Sequence, residues 1–198
     1  MDGNLATSLL PRWPADAFLK ALCEKIDLES YCKIMAVIKS AERDTANFEK
    51  LFNRYYNVRR SESWRREYYS IFEDALRRDA VTFEQILREL YGRTNRIESS
   101  FSSKMLATID DSKPIWDRRV ISAIKKIDPT TPAMLTCAIG RNVERAIEGY
   151  RILEDVCGEL LHGSFGRDCV VCFDSLFDQY ADISDMKKLD NVLWCAGD

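Results

Sequence analysis

The sequence predicts an all-α fold, built as one domain of about nine helices. Apolar residues recur at spacings of three and four over most of the 198-residue chain, as on the buried face of a helix. Only 8 glycines and 5 prolines are present, fewer than a turn-rich β architecture needs. No segment alternates apolar and polar residues between turn signals, as a strand would. We expect residues 1–13 to form an N-terminal arm and residues 14–198 to form the single all-α domain.

Helical spacing and capping residues define the elements of the N-terminal half. The expected helices are 15–26, 28–57, 62–78 and 83–90. The second pattern is long, and a break near Asp44–Thr45 would divide it into two helices. Thr82 precedes the fourth pattern, where a threonine side chain can accept a hydrogen bond from a free backbone N–H.

The C-terminal half continues in the same way. Helices at about 98–109 and 117–127 flank a loop that contains Pro114. Three more are expected at 138–161, 168–181 and 184–195, and the segment HGSFGRD (residues 162–168) is expected to be a loop between the first two of these.

Composition and motif searches exclude several classes of protein. Hydrophobic residues make up 46% and charged residues 31%, which is typical of a globular domain with its own core. The net charge of −3 gives no global basic field. No apolar run has the length of a membrane span, and the first residues lack the pattern of a signal peptide. Seven cysteines without framework spacing fit a reducing compartment, so a cytoplasmic protein without membrane contact is expected.

The segment from Leu90 to Val120, LYGRTNRIESSFSSKMLATIDDSKPIWDRRV, is the most informative part of the chain. A turn at Gly92 is expected to lead into an apolar helix, and Asp117 opens the next helix after the Pro114 loop. This order resembles the hairpin, helix, loop and aspartate of the HhH-GPD superfamily of DNA glycosylases. Leu90-Tyr91-Gly92 stands where that family's hairpin begins, and the segment from Pro114 to Val120 stands where its essential aspartate lies.

The resemblance implies base excision on double-stranded DNA, with Asp117 as the catalytic carboxylate and no cofactor. An aspartate beside the sugar would stabilise an oxocarbenium-like centre and orient a water molecule. Where bifunctional members of the family carry a nucleophilic lysine, this chain has Arg96, and Lys104 lies two turns further along. The expected enzyme is therefore monofunctional. The residues expected to contact DNA are Gly92, Arg93, Arg96, Lys104, Trp116, Arg118 and Arg119.

Each of these residues also has a structural interpretation. Asp117 can be a helix cap, Trp116 can be a core residue, and the arginines can lie on a solvated helix face with acidic partners. If those interpretations hold, the alternative is a non-catalytic all-α module that binds nucleic acid or a protein partner.

Four residues have spacings that resemble a metal site, although we expect no metal. Cys157, His162, Cys169 and Cys172 form the pattern C-x4-H-x6-C-x2-C, which offers four zinc ligands. The residues around Cys169 and Cys172 also have the pattern of a buried helix, in which the two thiols would serve as small apolar side chains. The spacing leaves both interpretations open.

Overall fold

The computed structural model describes residues 24–137 and 142–197, and within them the predicted all-α fold is confirmed. Nine α-helices lie wholly inside these ranges, and no strand occurs there. They are α1 (Leu28–Lys39), α2 (Thr45–Tyr55), α3 (Glu62–Ala75), α4 (Phe83–Thr94), α5 (Ser99–Ile109), α6 (Arg118–Ile127), α7 (Val143–His162), α8 (Ser164–Leu176) and α9 (Asp185–Ala196). A short 3-10 helix, Asp178–Tyr180, precedes α9. The expected arm at 1–13 and most of the expected helix 15–26 lie outside the described residues.

Side-chain caps explain why most helices begin where the sequence predicts. In each case an oxygen of the residue before the helix accepts a hydrogen bond from a backbone N–H of the first turn. The capping residues of this kind are Asp27, Asp44, Ser61, Thr82, Asp117, Asn142 and Ser184. The expected break near Asp44–Thr45 is confirmed, because α1 ends at Lys39 and Asp44 caps α2.

Two aromatic groups form much of the core. The first joins α2 to α3, where Phe48, Phe52 and Phe72 are fully buried and pack edge to face. The second is a stack of three rings, Phe83, Tyr150 and Trp116, that joins α4 and α7 to the loop before α6. The second group therefore holds the loop that leads to Asp117 and α6.

The expected loop at 162–168 is wrong, because α8 begins at Ser164 and only Gly163 separates it from α7. The two helices approach each other closely at Gly166. A Cβ atom there would lie 2.4 Å from the backbone oxygen of Leu160. The glycines of this segment therefore permit close helix packing, and the helix expected at 168–181 begins earlier and ends at Leu176.

The turn expected at Gly92 is also misplaced. Helix α4 continues to Thr94, so Gly92 lies exposed in its last turn, with open space around its Cα. The chain turns instead at Asn95, which has a φ of 53°. Asparagine tolerates this left-handed conformation and ends the helix without a glycine. A helical hairpin of α4 and α5 is present, and its turn spans residues 95–98.

None of the described helices combines the length and the apolar character needed to cross a lipid bilayer.

Candidate functional site

Asp117 lies at the N-terminus of α6, and the loop before it is held firmly. Its side chain accepts a hydrogen bond of 2.8 Å from the backbone N–H of Arg119. The buried Tyr150 hydroxyl donates to the carbonyl of Pro114 at 2.9 Å, and the backbone N–H of Trp116 donates to Ser103 at 2.8 Å. Asp117 is partly exposed, so a cap and a ligand-facing carboxylate are compatible in one residue.

Replacement of Asp117 separates its capping role from its charge. We expect Asp117→Ala to lower the free energy of unfolding by about 1 kcal/mol, because α6 loses its side-chain cap. Asp117→Asn should change it by only a few tenths, roughly, since asparagine caps as well as aspartate does. Urea denaturation of the two variants measures both values, and equal losses would contradict the capping role.

Lys104 on α5 lies in a partly buried environment that the sequence does not predict. Its Nζ donates a 2.9 Å hydrogen bond to the Ser100 hydroxyl and lies 5.3 Å from the centre of the Phe101 ring and 5.6 Å from that of Tyr56. Burial lowers the pKa of the Lys104 ammonium, and the carboxylates of Asp117 and Asp190 only partly oppose this. An amine that loses its proton more easily than usual therefore lies within electrostatic reach of Asp117.

Helix α9 contributes a buried ion pair that sequence reasoning missed. Lys187 and Asp190 are 7% and 8% exposed, and the Lys187 Nζ lies 2.8 Å from one carboxylate oxygen of Asp190. Burial raises the pKa of Asp190, which the Lys187 ammonium only partly offsets. The sequence signal was a lysine and an aspartate three residues apart, a spacing equally common on solvated helix faces.

The pair lines a small cleft between α9, α5 and the N-terminal helices. Tyr31, Tyr56 and Asp111 also line it, and it has room for about one water molecule. The second carboxylate oxygen of Asp190 is buried there without a hydrogen-bond partner. A buried carboxylate oxygen in this state retains unused capacity to accept a hydrogen bond.

Trp116 is a core residue, which corrects the expectation that its ring faces DNA. It is 2% exposed and lies roughly parallel to Phe83 and Tyr150, with interplanar angles of 10° and 16°. Its ring also fills the space above Gly149, where a Cβ atom would lie 2.5 Å from it. The ring therefore contacts other residues of the protein, and its packing against α7 holds the loop before α6 in place.

The arginines of the hairpin are paired with acidic side chains of the same chain. Arg93 lies 3.5 Å from Glu67 and 3.7 Å from Asp74, and it donates to the Ser70 hydroxyl. Arg96 donates to Glu98 at 2.9 Å. Glu98 is buried in the turn and also accepts from Arg60. Phosphate contacts by Arg93 and Arg96 stay a prediction, and they would have to compete with these carboxylates.

The remaining residues expected to contact DNA lie at the ends of α4 and α6. Arg118 is exposed beside Asp117, and Gly92 is exposed at the end of α4. The Arg119 guanidinium lies 4.2 Å from the centre of the Trp194 ring and so fastens α6 to α9. Asp117 and Arg118 therefore lie at the start of α6, and the Lys104 amine lies within electrostatic reach of Asp117.

The four residues with metal-like spacing lie in and between α7 and α8. Cys157 and Cys169 are buried, and the His162 ring contacts the carbonyl of Gly158 at 2.7 Å. Within residues 24–137 and 142–197, no group of three or more His, Cys, Asp or Glu side chains is arranged to hold a metal ion.

Comparison with protein-family models, curated proteins and solved structures found no match to this chain. The chemistry of the site itself is therefore what supports a function.

Proposed function

We propose that this protein is a divergent helix-hairpin-helix DNA glycosylase in which Asp117 and Lys104 act together on the sugar of a damaged nucleotide. The observation that carries the proposal is the Lys104 amine. It lies in the second helix of a helical hairpin, its pKa is lowered by burial, and it is within electrostatic reach of a carboxylate at the start of the next helix. A lysine in this state is suited to nucleophilic attack, and an aspartate is suited to stabilising positive charge.

The proposed reaction uses groups of this chain only. The lone pair of the Lys104 Nζ forms a bond to C1′ of the sugar while the bond from C1′ to the base breaks. The electron pair of that bond leaves with the base, which takes up the proton that the attacking amine releases. The Asp117 carboxylate stabilises the positive charge that develops on the sugar. This differs from the monofunctional expectation, in which Asp117 orients a water molecule.

Borohydride trapping on duplex DNA with an abasic site tests Lys104 without knowledge of the natural lesion. The amine condenses with the C1′ aldehyde, water leaves, and borohydride reduces the imine to a stable adduct. We expect an adduct with the wild-type protein and at least about 100-fold less with Lys104→Gln. The control is Lys113→Gln, because Lys113 is paired with Glu154 on the surface and should trap as the wild type does.

The outcomes of the trapping experiment are distinct. An adduct that persists in Lys104→Gln would show that another amine reacts and would overturn the role of Lys104. Release of a damaged base without any adduct would mean that the nucleophile is a water molecule held by Asp117 and not Lys104. In that case Asp117→Asn, which keeps the cap, should weaken binding to a cationic abasic-site analogue.

A second function, a non-catalytic helical module that binds a protein partner, is supported by the hairpin arginines. Arg93 and Arg96 are neutralised by Glu67, Asp74 and Glu98, and the net charge of the chain is −3. Phosphate binding needs cations that are not already neutralised. Absence of any salt-dependent binding to duplex DNA at low ionic strength would favour this function over the first.

A further inference from the structure

Helix α9 carries three buried charged side chains, Lys187, Lys188 and Asp190, and the first and last of these pair with each other. Lys187 and Asp190 lie on its buried face, and their contact of 2.8 Å joins them as an ion pair. Removing two charges from water costs free energy that their attraction recovers only in part. A buried ion pair is therefore weak evidence that its residues stabilise the fold. The groups that lie near the pair indicate what else it can do.

The pair shares an aromatic wall with Lys104. The Lys187 Nζ lies 5.9 Å from the centre of the Tyr55 ring, and the Lys104 Nζ lies 5.6 Å from that of Tyr56. The two tyrosine rings contact each other edge to face, with centres 4.7 Å apart. Aromatic faces attract cations, so each ammonium group is held against one ring of this wall.

We propose that the buried Lys187–Asp190 pair controls the charge of Lys104 and thereby tunes the reactivity of that amine. Both residues are positioning residues, because they act through Lys104. The control of charge rests on the aromatic wall that the pair shares with Lys104 and on the charges around that amine, whereas its importance for reactivity rests on the proposed function.

The charges around Lys104 give the direction of this control. The titratable groups that face it are Asp117 from the start of α6, Lys187 and Asp190 from α9, and Tyr56 after α2. Asp190 raises the pKa of Lys104, and Lys187 lowers it by a smaller amount. Loss of the Asp190 charge therefore leaves Lys104 easier to deprotonate, whether or not Lys187 keeps its proton.

The groups that face Lys187 keep it protonated. Burial alone would lower the pKa of this lysine, but the charged Asp190 carboxylate beside it opposes that effect, and the net result is a raised pKa. The Tyr31 ring, from α1, lies 5.2 Å from the Lys187 Nζ. The ion pair therefore presents one positive and one negative charge to the aromatic wall that it shares with Lys104.

Titration of Lys104 by NMR measures this control directly. The 13Cε resonances of labelled lysines would be followed against pH, and Lys104→Arg would assign the signal. In Asp190→Asn we expect the Lys104 midpoint to move to lower pH. The matched control is Asp185→Asn, the same change on the same helix at an exposed carboxylate that pairs with Lys188, and it should leave the midpoint unchanged.

A second variant keeps the proposal testable if Asp190→Asn does not fold. In Lys187→Met/Asp190→Leu both charges are replaced by apolar groups, and the Lys104 midpoint should again move to lower pH, since the effect of Asp190 exceeds that of Lys187. A midpoint equal to that of the wild type in both variants would overturn the proposal.

The pH profile of borohydride trapping connects this control to reactivity. We expect the rate of adduct formation in Asp190→Asn to rise relative to the wild type on the acidic side, because more Lys104 is unprotonated there. A shifted NMR midpoint in a protein that forms no adduct would support control of charge while the proposed function fails. A shifted midpoint with an unshifted trapping profile would overturn the link to reactivity.

Discussion

Trp116→Ala is expected to lower the free energy of unfolding by about 3 to 5 kcal/mol, the cost of a large cavity in a packed core. The ring is almost fully buried between α7 and the loop before α6, next to Phe83 and Tyr150. Gly149 leaves the space that the ring occupies, so truncation of the ring opens a cavity there. Urea denaturation followed by far-UV circular dichroism gives the value.

Trp194→Ala is the matched control for this experiment. Trp194 lies on α9, is only partly buried and packs against the Arg119 guanidinium. Its truncation should cost clearly less than that of Trp116. Should Trp116→Ala instead be nearly as stable as the wild type while losing affinity for DNA, the ring would be a base platform and its place in the core would be wrong.

Most of the helices were predictable because their signals are local. A helix start needs one side-chain oxygen beside free backbone N–H groups, and Asp44, Thr82 and Ser184 supply such oxygens. The helical period then identifies the buried face without knowledge of its partner. Asp117 belongs to this class, since its place at a helix start follows from the residues around it.

The turn of the hairpin and the junction of α7 with α8 were not predictable from local signals. Glycine marks many turns, but Gly92 lies within a helix and Asn95 makes the turn. Gly163 joins α7 to α8 and Gly166 lies inside α8, where the two helix backbones approach each other. Whether a glycine serves a turn or a close contact depends on what packs against it, which the neighbouring residues do not specify.

The burial of charged groups was also not predictable from the sequence. Lys187 and Asp190 have the spacing of a surface ion pair, and Lys104 lies among serines in an otherwise apolar helix. Only tertiary packing places Asp190, Asp117 and Lys104 within electrostatic reach of one another. The sequence therefore predicted Asp117 and Lys104 as candidate site residues, and the structure added the burial of the Lys104 amine and the Lys187–Asp190 ion pair.

Lys187→Met is expected to lower the free energy of unfolding by about 3 to 5 kcal/mol, because it leaves the Asp190 carboxylate buried without a counter-charge. One oxygen of that carboxylate already lacks a hydrogen-bond partner. The other accepts a hydrogen bond from Lys187, and the variant removes that bond. The control is Lys33→Met, which breaks an exposed pair with Glu29 on α1 and should cost less than about 0.5 kcal/mol. A loss of similar size in both variants would contradict the buried position of Lys187.

The double variant Lys187→Met/Asp190→Leu should recover most of this loss, to within about 1 kcal/mol of the wild type or above it. Apolar side chains of similar volume need no compensation for lost hydration, whereas each single replacement leaves one buried charge alone. Thermal denaturation of the wild type, Lys187→Met, Asp190→Leu and the double variant in one buffer completes the double-mutant cycle. Recovery in the double variant would mean that the ion pair contributes little net stability, so stability alone would not account for this buried pair on α9.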